Sequence, residues 1–146
     1  MHGRVNFMTR DEADYIVVRY SRHIGGKVAR LNEADLAGFD WPGGQMYFEY
    51  VSPIGSLVCR AKVFKFRGTV NPRIMFLLEA AVRSGEDTGG GALEFHEPSS
   101  GIYLTLTYTE ASKPFAEIAD GLDRLAQAGE TWIRVTLRKI LAAASP

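Results

Sequence analysis

The chain has 146 residues, 46% of them hydrophobic and 23% charged, which is ordinary for one globular domain with its own core. Its 17 Lys and Arg residues balance 17 Asp and Glu residues, which argues against a nucleic-acid or membrane partner recognised through net charge. Its only cysteine, Cys59, excludes an intrachain disulfide and a zinc site made of several thiolates.

The start of the chain bears on its location. Residues 1–8 lack the apolar segment of a signal peptide, and no apolar run is long enough to span a bilayer. We therefore expect a single domain over residues 1–146, with cytoplasmic localisation and no membrane partner.

A first helix is predicted from Thr9 to Ile24. Thr9 and Glu12 have the spacing of a capping box, in which each side chain accepts a hydrogen bond from the other residue's backbone amide. Gly25 and Gly26 can adopt the left-handed conformation that ends a helix. Between these signals, apolar residues recur at the spacing of one helix face: Ala13, Ile16, Val17, Tyr20 and Ile24.

Strands are predicted over the next part of the chain. In the longest one, the alternation between the two faces changes phase at Phe64, which predicts a β-bulge or the end of the strand. The predicted order is one or two weak strands, a turn, an aromatic strand, a turn and the long strand: 28–39, 41–44, 45–51, 52–55 and 56–67.

A second helix is predicted to begin at Asn71, as an N-cap followed by Pro72 at the first helical position. Its apolar residues form one broad arc, but Phe76 and Ala80 fall among the charged residues on the other side. Such residues are either isolated apolar side chains on the surface or part of a contact with a second subunit.

The second half of the chain is predicted to hold a glycine-rich connector, a hairpin and one long helix. The hairpin strands are Ala92–Glu97 and Ile102–Tyr108, and the helix begins at Ser112 and Pro114, with a break expected near Gly129. The order is therefore α-β-β-β-α-β-β-α. Tight turns favour an antiparallel sheet with helices on one side, an α+β fold.

The residue types that commonly catalyse reactions or bind metals show no recognisable pattern in this sequence. His2, His23 and His96 are scattered without metal-ligand spacing, and Cys59 is predicted to face the core, where a thiol is inert. The glycine-rich segment 85–91 follows a helix and precedes a strand, which is the reverse of a phosphate-binding loop. We therefore predict a protein that is not an enzyme and has no catalytic residue, cofactor or metal.

A basic patch lies on the long strand, close to Phe64 and Phe66. Basic residues interleaved with aromatics could bind a nucleic acid, whereas charges along a strand edge protect a sheet from aggregation. The balanced net charge favours the second interpretation. The patch consists of Arg60, Lys62, Lys65 and Arg67.

The clearest indication of function is a surplus of apolar residues on two neighbouring strands. They occupy both faces of these strands, and helices on one side cannot cover them all. Exposed apolar surface marks interfaces, and an open sheet edge can capture an extended peptide. The predicted partner-binding residues are Tyr47, Phe48, Tyr50, Val51, Phe64 and Phe66.

The second half of the chain resembles the class I chaperones of type III secretion, the Tir-chaperone family. The resemblance rests on the apolar helix from Ile74 to Ala81, the break at 89–93, the turn 98–101 with the strand after it, and Trp132 near the end of the last helix. It spans about Ile74 to Leu141, and the first helix fits the same order.

This resemblance implies a homodimer that holds an unfolded stretch of a secreted effector. It also places the central helix at the dimer contact, through Met75, Phe76 and Ala80. Members of the family are usually acidic, whereas this chain is neutral, and its aromatic and basic run from Gln45 to Arg67 is longer than the family pattern. A regulator or adaptor of the same fold, such as the YbjN-like proteins, is therefore kept as an alternative. A third is a carrier of a small apolar ligand, or an enzyme with a ligand pocket between the sheet and the last helix.

Overall fold

A computed structural model describes residues 7–110 and 113–145 of the chain. His2 and Ser112 lie outside the described residues. Within them, the elements follow the predicted order, which confirms the α+β fold. The helices are α1 (Arg10–His23), α2 (Pro72–Arg83), α3 (Phe115–Thr131) and α4 (Leu137–Ala144), and the strands are β1 (Leu36–Trp41), β2 (Gly44–Val51), β3 (Ser56–Lys65), β4 (Ala92–His96) and β5 (Gly101–Tyr108).

The strands form one antiparallel sheet in the order β1-β2-β3-β5-β4. β3 is therefore a central strand, paired with β2 on one side and β5 on the other. The prediction that the basic residues of this strand protect a sheet edge is wrong. The edge strands are β1 and β4. After α2 the chain forms β4 at the far edge of the sheet and then returns as β5, which lies between β4 and β3.

The helix starts follow local hydrogen bonding. The Thr9 hydroxyl accepts from the Glu12 amide at 3.2 Å, and the Glu12 carboxylate accepts from the Thr9 amide at 2.9 Å, which confirms the capping box. Asn71 accepts from the amides of Arg73 and Ile74. These side chains satisfy amides that have no partner inside the helix.

One face of the sheet packs against the helices and forms the core. Tyr20 of α1 lies 6.3 Å from Phe39 of β1, measured between ring centroids. A Cβ placed on Gly129 of α3 would lie 3.1 Å from the Cβ of Ala61, so glycine allows the helix to approach β3 closely. At most 1% of each of the following side chains in this layer is exposed: Met46, Phe48, Leu57, Cys59, Ala61 and Leu104.

The predicted change of phase in β3 is a β-bulge. The register with β5 shifts between Lys62 and Phe64. Val63 and Phe64 both pack against the core as a result, although they are consecutive in the strand. Lys62 and Lys65 therefore both lie on the opposite face of the sheet.

Near Gly129, where a break was predicted, the last helix changes its winding without breaking. It continues through Thr131 into a π-helical turn, Trp132–Thr136, and then into α4. The Trp132 indole donates to the backbone carbonyl of Asp87 at 2.8 Å, and the Thr136 hydroxyl donates to the Glu86 carboxylate. The wider turn lets both side chains hold the connector between α2 and β4.

Candidate functional site

The sheet face opposite the helices, called the open face from here on, carries polar and aromatic side chains. Its residues are identified by the strand register, because side chains of paired residues lie on the same face. Two rows cross the centre of the sheet: Tyr47, Arg60 and Thr105 in one, and Lys62, Tyr103 and Glu94 in the other.

A groove of about 440 Å³ runs over the open face. Its floor includes the rings of Tyr47 and Tyr103, whose centroids are 6.0 Å apart and whose planes are nearly perpendicular. A Cβ on Gly38 would lie 2.8 Å from the Tyr47 ring, so the glycine allows that ring to lie over β1. We call this the sheet groove; its other lining residues include Leu36, Lys62, Lys65, His96 and Ser99.

Arg60 is held between two carboxylates at the centre of the open face. Its guanidinium donates to Glu94 at 2.7 Å and to Glu49 at 2.8 Å, and 13% of its side chain is exposed. Burial disfavours the charge, but the two carboxylates outweigh burial and raise the pKa of Arg60. Its charge is therefore neutralised within the protein.

Lys62 and Lys65 differ from Arg60 in this respect. Neither lysine has an ion pair or side-chain hydrogen bond to any other described residue. His96 lies at the same end of the groove, where its Nδ1 is 2.8 Å from the Ser99 hydroxyl and its ring stands edge-on to Tyr103. This end of the sheet groove carries positive charge that is available to a partner.

The outer edge of β1 offers a second feature. The amide of Asn32 donates to the Leu36 carbonyl, and the amide of Leu36 donates to the Asn32 side chain, so both backbone groups of Leu36 point away from β2. By alternation, the amides and carbonyls of Gly38 and Asp40 point the same way, and these amides have no partner among the described residues. An edge cleft of about 700 Å³ separates β1 from the segment at Val28.

A third surface lies between α2 and the edge strand β4. An apolar groove of about 580 Å³, called the helix groove, is lined by Met75, Val82, Leu93 and Phe95. Phe76, on the same helix, is 59% exposed, and Ala80 is half-buried. The three residues predicted at a dimer contact therefore lie on a helix whose apolar surface is incompletely covered.

Of the predicted partner-binding residues, Tyr47 lines both the sheet groove and the edge cleft. Phe48 and Phe66 are only 1% and 4% exposed, so their side chains belong to the core, although Phe48 also borders the sheet groove. Alternation in β2 and the bulge in β3 turn them inward.

The other three predicted residues are half-buried. Tyr50 donates its hydroxyl to the Met8 carbonyl at 2.9 Å, Phe64 packs on Phe66 with ring centroids 5.0 Å apart, and Val51 ends β2. The structure does not bring these residues together with Tyr47. It places Tyr103, Glu49 and Glu94 there instead, and the alternation of β5 was the one sequence signal for Tyr103.

Titratable groups elsewhere have structural partners. The buried Tyr20 donates its hydroxyl to Asp123 at 2.8 Å, and His23 lies 2.9 Å from the same carboxylate, so Asp123 links α1 to α3. Burial raises the pKa of Tyr20 and of the Cys59 thiol. Among the described residues, no group of three or more His, Cys, Asp or Glu could hold a metal ion.

Comparison with known structures identifies the fold. A chain in the crystal structure of the ExsC–ExsE complex matches with a TM-score of 0.65 and 15% identity, over 88% of this chain and 96% of that chain. A chain in the HopA1–SchA chaperone–effector complex matches with a TM-score of 0.60 and 10% identity, over 88% of this chain and 99% of that chain. The protein therefore shares the fold of one chain in each of these two complexes.

No protein-family model matches the chain, and no curated protein matches it in sequence. Within the part of the chain that the structure describes, no helix is long and apolar enough to cross a membrane.

Proposed function

We propose that this protein is a chaperone-like binding module that holds an extended, non-globular segment of a partner protein, and that it does so as a homodimer. The observation that carries the proposal is the match of nearly the whole chain to a fold seen in a chaperone–effector complex. The proposal includes a role in type III secretion and in the cytoplasm, with a protein partner and no catalytic step.

The edge of β1 supports binding of an extended segment. The outward amides of Gly38 and Asp40 and the carbonyl of Gly38 can pair with an added strand, whereas the Asp40 carbonyl lies close to Gly26. Each hydrogen bond so formed contributes about 0.5–1.5 kcal/mol. Alternate side chains of that strand would face Tyr47 on the open face and Val28 in the edge cleft. Backbone pairing of this kind needs a partner segment that has no fold of its own.

The surface of α2 supports the homodimer. Phe76 is exposed, and the helix groove next to it is lined by apolar side chains. A second copy packing there would bury this surface, as interfaces between permanent subunits do.

The test is affinity purification of the tagged protein from its source organism, followed by native mass spectrometry and limited proteolysis. We expect two copies of the chain with one partner, whose bound segment becomes protease-sensitive on release. Asp40→Pro removes an outward edge amide without removing a bond to β2, so it should weaken the complex by up to about tenfold, whereas Asp40→Ala keeps the amide and should bind as the wild type does. Thermal unfolding controls for the fold.

If Asp40→Pro does not fold, Val28→Asp tests the same cleft, because Val28 is exposed and its substitution leaves the core intact. A wild-type protein that purifies as a monomer with no protein partner would contradict the whole proposal. A complex whose affinity is unchanged by both Asp40→Pro and Val28→Asp would overturn the route through β1.

The dimer is tested separately with Phe76→Glu. We expect a monomer in analytical ultracentrifugation with an unchanged circular dichroism spectrum, since the side chain is mostly exposed, and a lower thermal midpoint because the stabilisation from association is lost. Lys139→Glu is the control, because Lys139 is exposed and lies outside the helix groove, whereas Arg73 of α2 donates to the Ala143 carbonyl.

A further inference from the structure

The β-bulge in β3 places two lysines on the same face of the sheet. In a regular strand, residues three apart point to opposite faces. The register shift between Lys62 and Phe64 brings Lys62 and Lys65 to the same face, and both line the sheet groove. The bulge therefore doubles the positive charge on one side of this groove.

The charge balance of the groove favours an anionic ligand with few charges. Arg60 is paired with both Glu49 and Glu94, so this group carries one surplus negative charge, while Lys62 and Lys65 have no carboxylate partner among the described residues. The open face thus has unpaired positive charge at the lysine end and surplus negative charge beside Arg60. A nucleic acid has a continuous run of phosphates, some of which would be repelled by the two glutamates. A peptide with a few carboxylates can place them at the lysine end alone.

The remainder of the groove is shaped for an apolar side chain. Tyr47 and Tyr103 stand nearly perpendicular to each other on its floor, and Leu36, which is 45% exposed, lies at its other end. A volume of about 440 Å³ accommodates a few side chains rather than a folded domain.

We infer that the sheet groove recognises an acidic stretch of a polypeptide, with carboxylates paired to Lys62 and Lys65 and an apolar side chain against Tyr47 and Tyr103. The inference rests on the proposed function, because it names the chemistry of the segment that the protein holds. Positive charge on the open face then selects among extended segments that the β1 edge alone could not distinguish.

The test measures binding of fluorescein-labelled peptides to the full chain by fluorescence anisotropy. The acidic probe repeats glutamate, tyrosine, glutamate and leucine, and the neutral probe has glutamine at every glutamate. We expect the wild type to bind the acidic probe about tenfold more tightly, with a preference that decreases as salt is raised. Lys62→Gln with Lys65→Gln should remove the preference.

The matched control is Arg67→Gln with Lys139→Gln. Both residues are exposed and lie outside the sheet groove, so this variant loses the same net charge and should keep the preference. Equal binding of the two probes by the wild type, or a preference that survives in the Lys62 and Lys65 variant, would overturn the inference and leave the proposed function standing. Absence of binding to either probe would contradict both.

Two further outcomes would also overturn the inference. Tighter binding of a single-stranded oligonucleotide than of the acidic probe, lost in the Lys62 and Lys65 variant, would assign the groove to nucleic acid. Dissociation of a wild-type dimer by the same substitutions, seen by ultracentrifugation, would assign it to a second copy of the chain.

Discussion

The two faces of one sheet are built from the same strands and have opposite chemistry. On the face covered by helices, Phe48, Cys59 and Leu104 are almost completely buried and make no charged contact. On the open face, their immediate neighbours Tyr47 and Arg60 are half-buried and lie among charged side chains. Alternation along a strand produces this division, because neighbouring side chains point to opposite faces.

The covered face accounts for stability, and the open face is where we propose recognition. Apolar burial on the covered face supplies most of the free energy of folding, while the open face carries charges and aromatic rings that a folded core does not need. Substitutions on the two faces should therefore have different effects on folding. The following expectations run from the largest effect to the smallest.

Leu104→Ala should have the largest effect on folding. Leu104 is fully buried on the covered face, so removing its side chain should lower the free energy of unfolding by about 2–5 kcal/mol. Urea unfolding followed by circular dichroism measures this loss. Thr107→Ala, on the exposed side of the same strand, is the control and should change it by less than about 0.5 kcal/mol. Equal losses would contradict the division between the faces.

Arg60→Met should have an intermediate effect, although it lies on the open face. It leaves the carboxylates of Glu49 and Glu94 without their cation, and we expect a loss of about 2 kcal/mol in the free energy of unfolding. Arg67→Met, at an exposed position, should be close to neutral. A neutral Arg60→Met would show that the ion pairs contribute nothing to folding.

Glu94→Gln should have a smaller effect that depends on pH. Burial by itself would raise the pKa of Glu94. Hydrogen bonds from Arg60 and Thr105 have the opposite effect and outweigh it, so the pKa of Glu94 lies below its ordinary value. The charged form therefore stabilises the fold at neutral pH, and this contribution is lost as pH falls through the lowered pKa.

The expected difference in unfolding free energy between wild type and Glu94→Gln is about 1 kcal/mol at pH 7. It should shrink towards zero below the ordinary glutamate range of about pH 4. Urea unfolding at a series of pH values measures it, and a difference that stays constant with pH would show that charge is not the cause.

Lys62→Gln with Lys65→Gln should have the smallest effect on folding. Neither lysine has an ion pair among the described residues, so the free energy of unfolding should change by less than about 0.5 kcal/mol. Thermal and urea unfolding measure it. A loss above about 1 kcal/mol would show that the lysines support the fold, and their effect on peptide binding would then need a different explanation.

Much of the fold could be predicted because its signals are local. The capping box at Thr9, the N-cap at Asn71 and the alternation of β5 each depend on residues close together in the chain. The phase change at Phe64 indicated a bulge for the same reason. The last helix is the exception, because glycine at position 129 is a local signal against a helix. The helix continues through Gly129, where it packs closely on Ala61.

The site was less predictable because it joins residues from different strands. Sequence identified Tyr47 and the basic residues of β3, but it assigned Phe48 and Phe66 to the surface and Arg60 to a strand edge. Their true positions depend on strand order and on what covers each face, and neither is encoded in a local pattern.

The sequence by itself determined the order of elements, the helix starts and the alternation that separates the two faces of each strand. Only the tertiary structure decided that β3 is central, that Arg60 lies between Glu49 and Glu94, and that the bulge brings Lys62 and Lys65 to one groove. The reason is physical. Local preferences depend on neighbours in the chain, whereas strand order and face coverage depend on long-range packing, which a single sequence pattern does not specify.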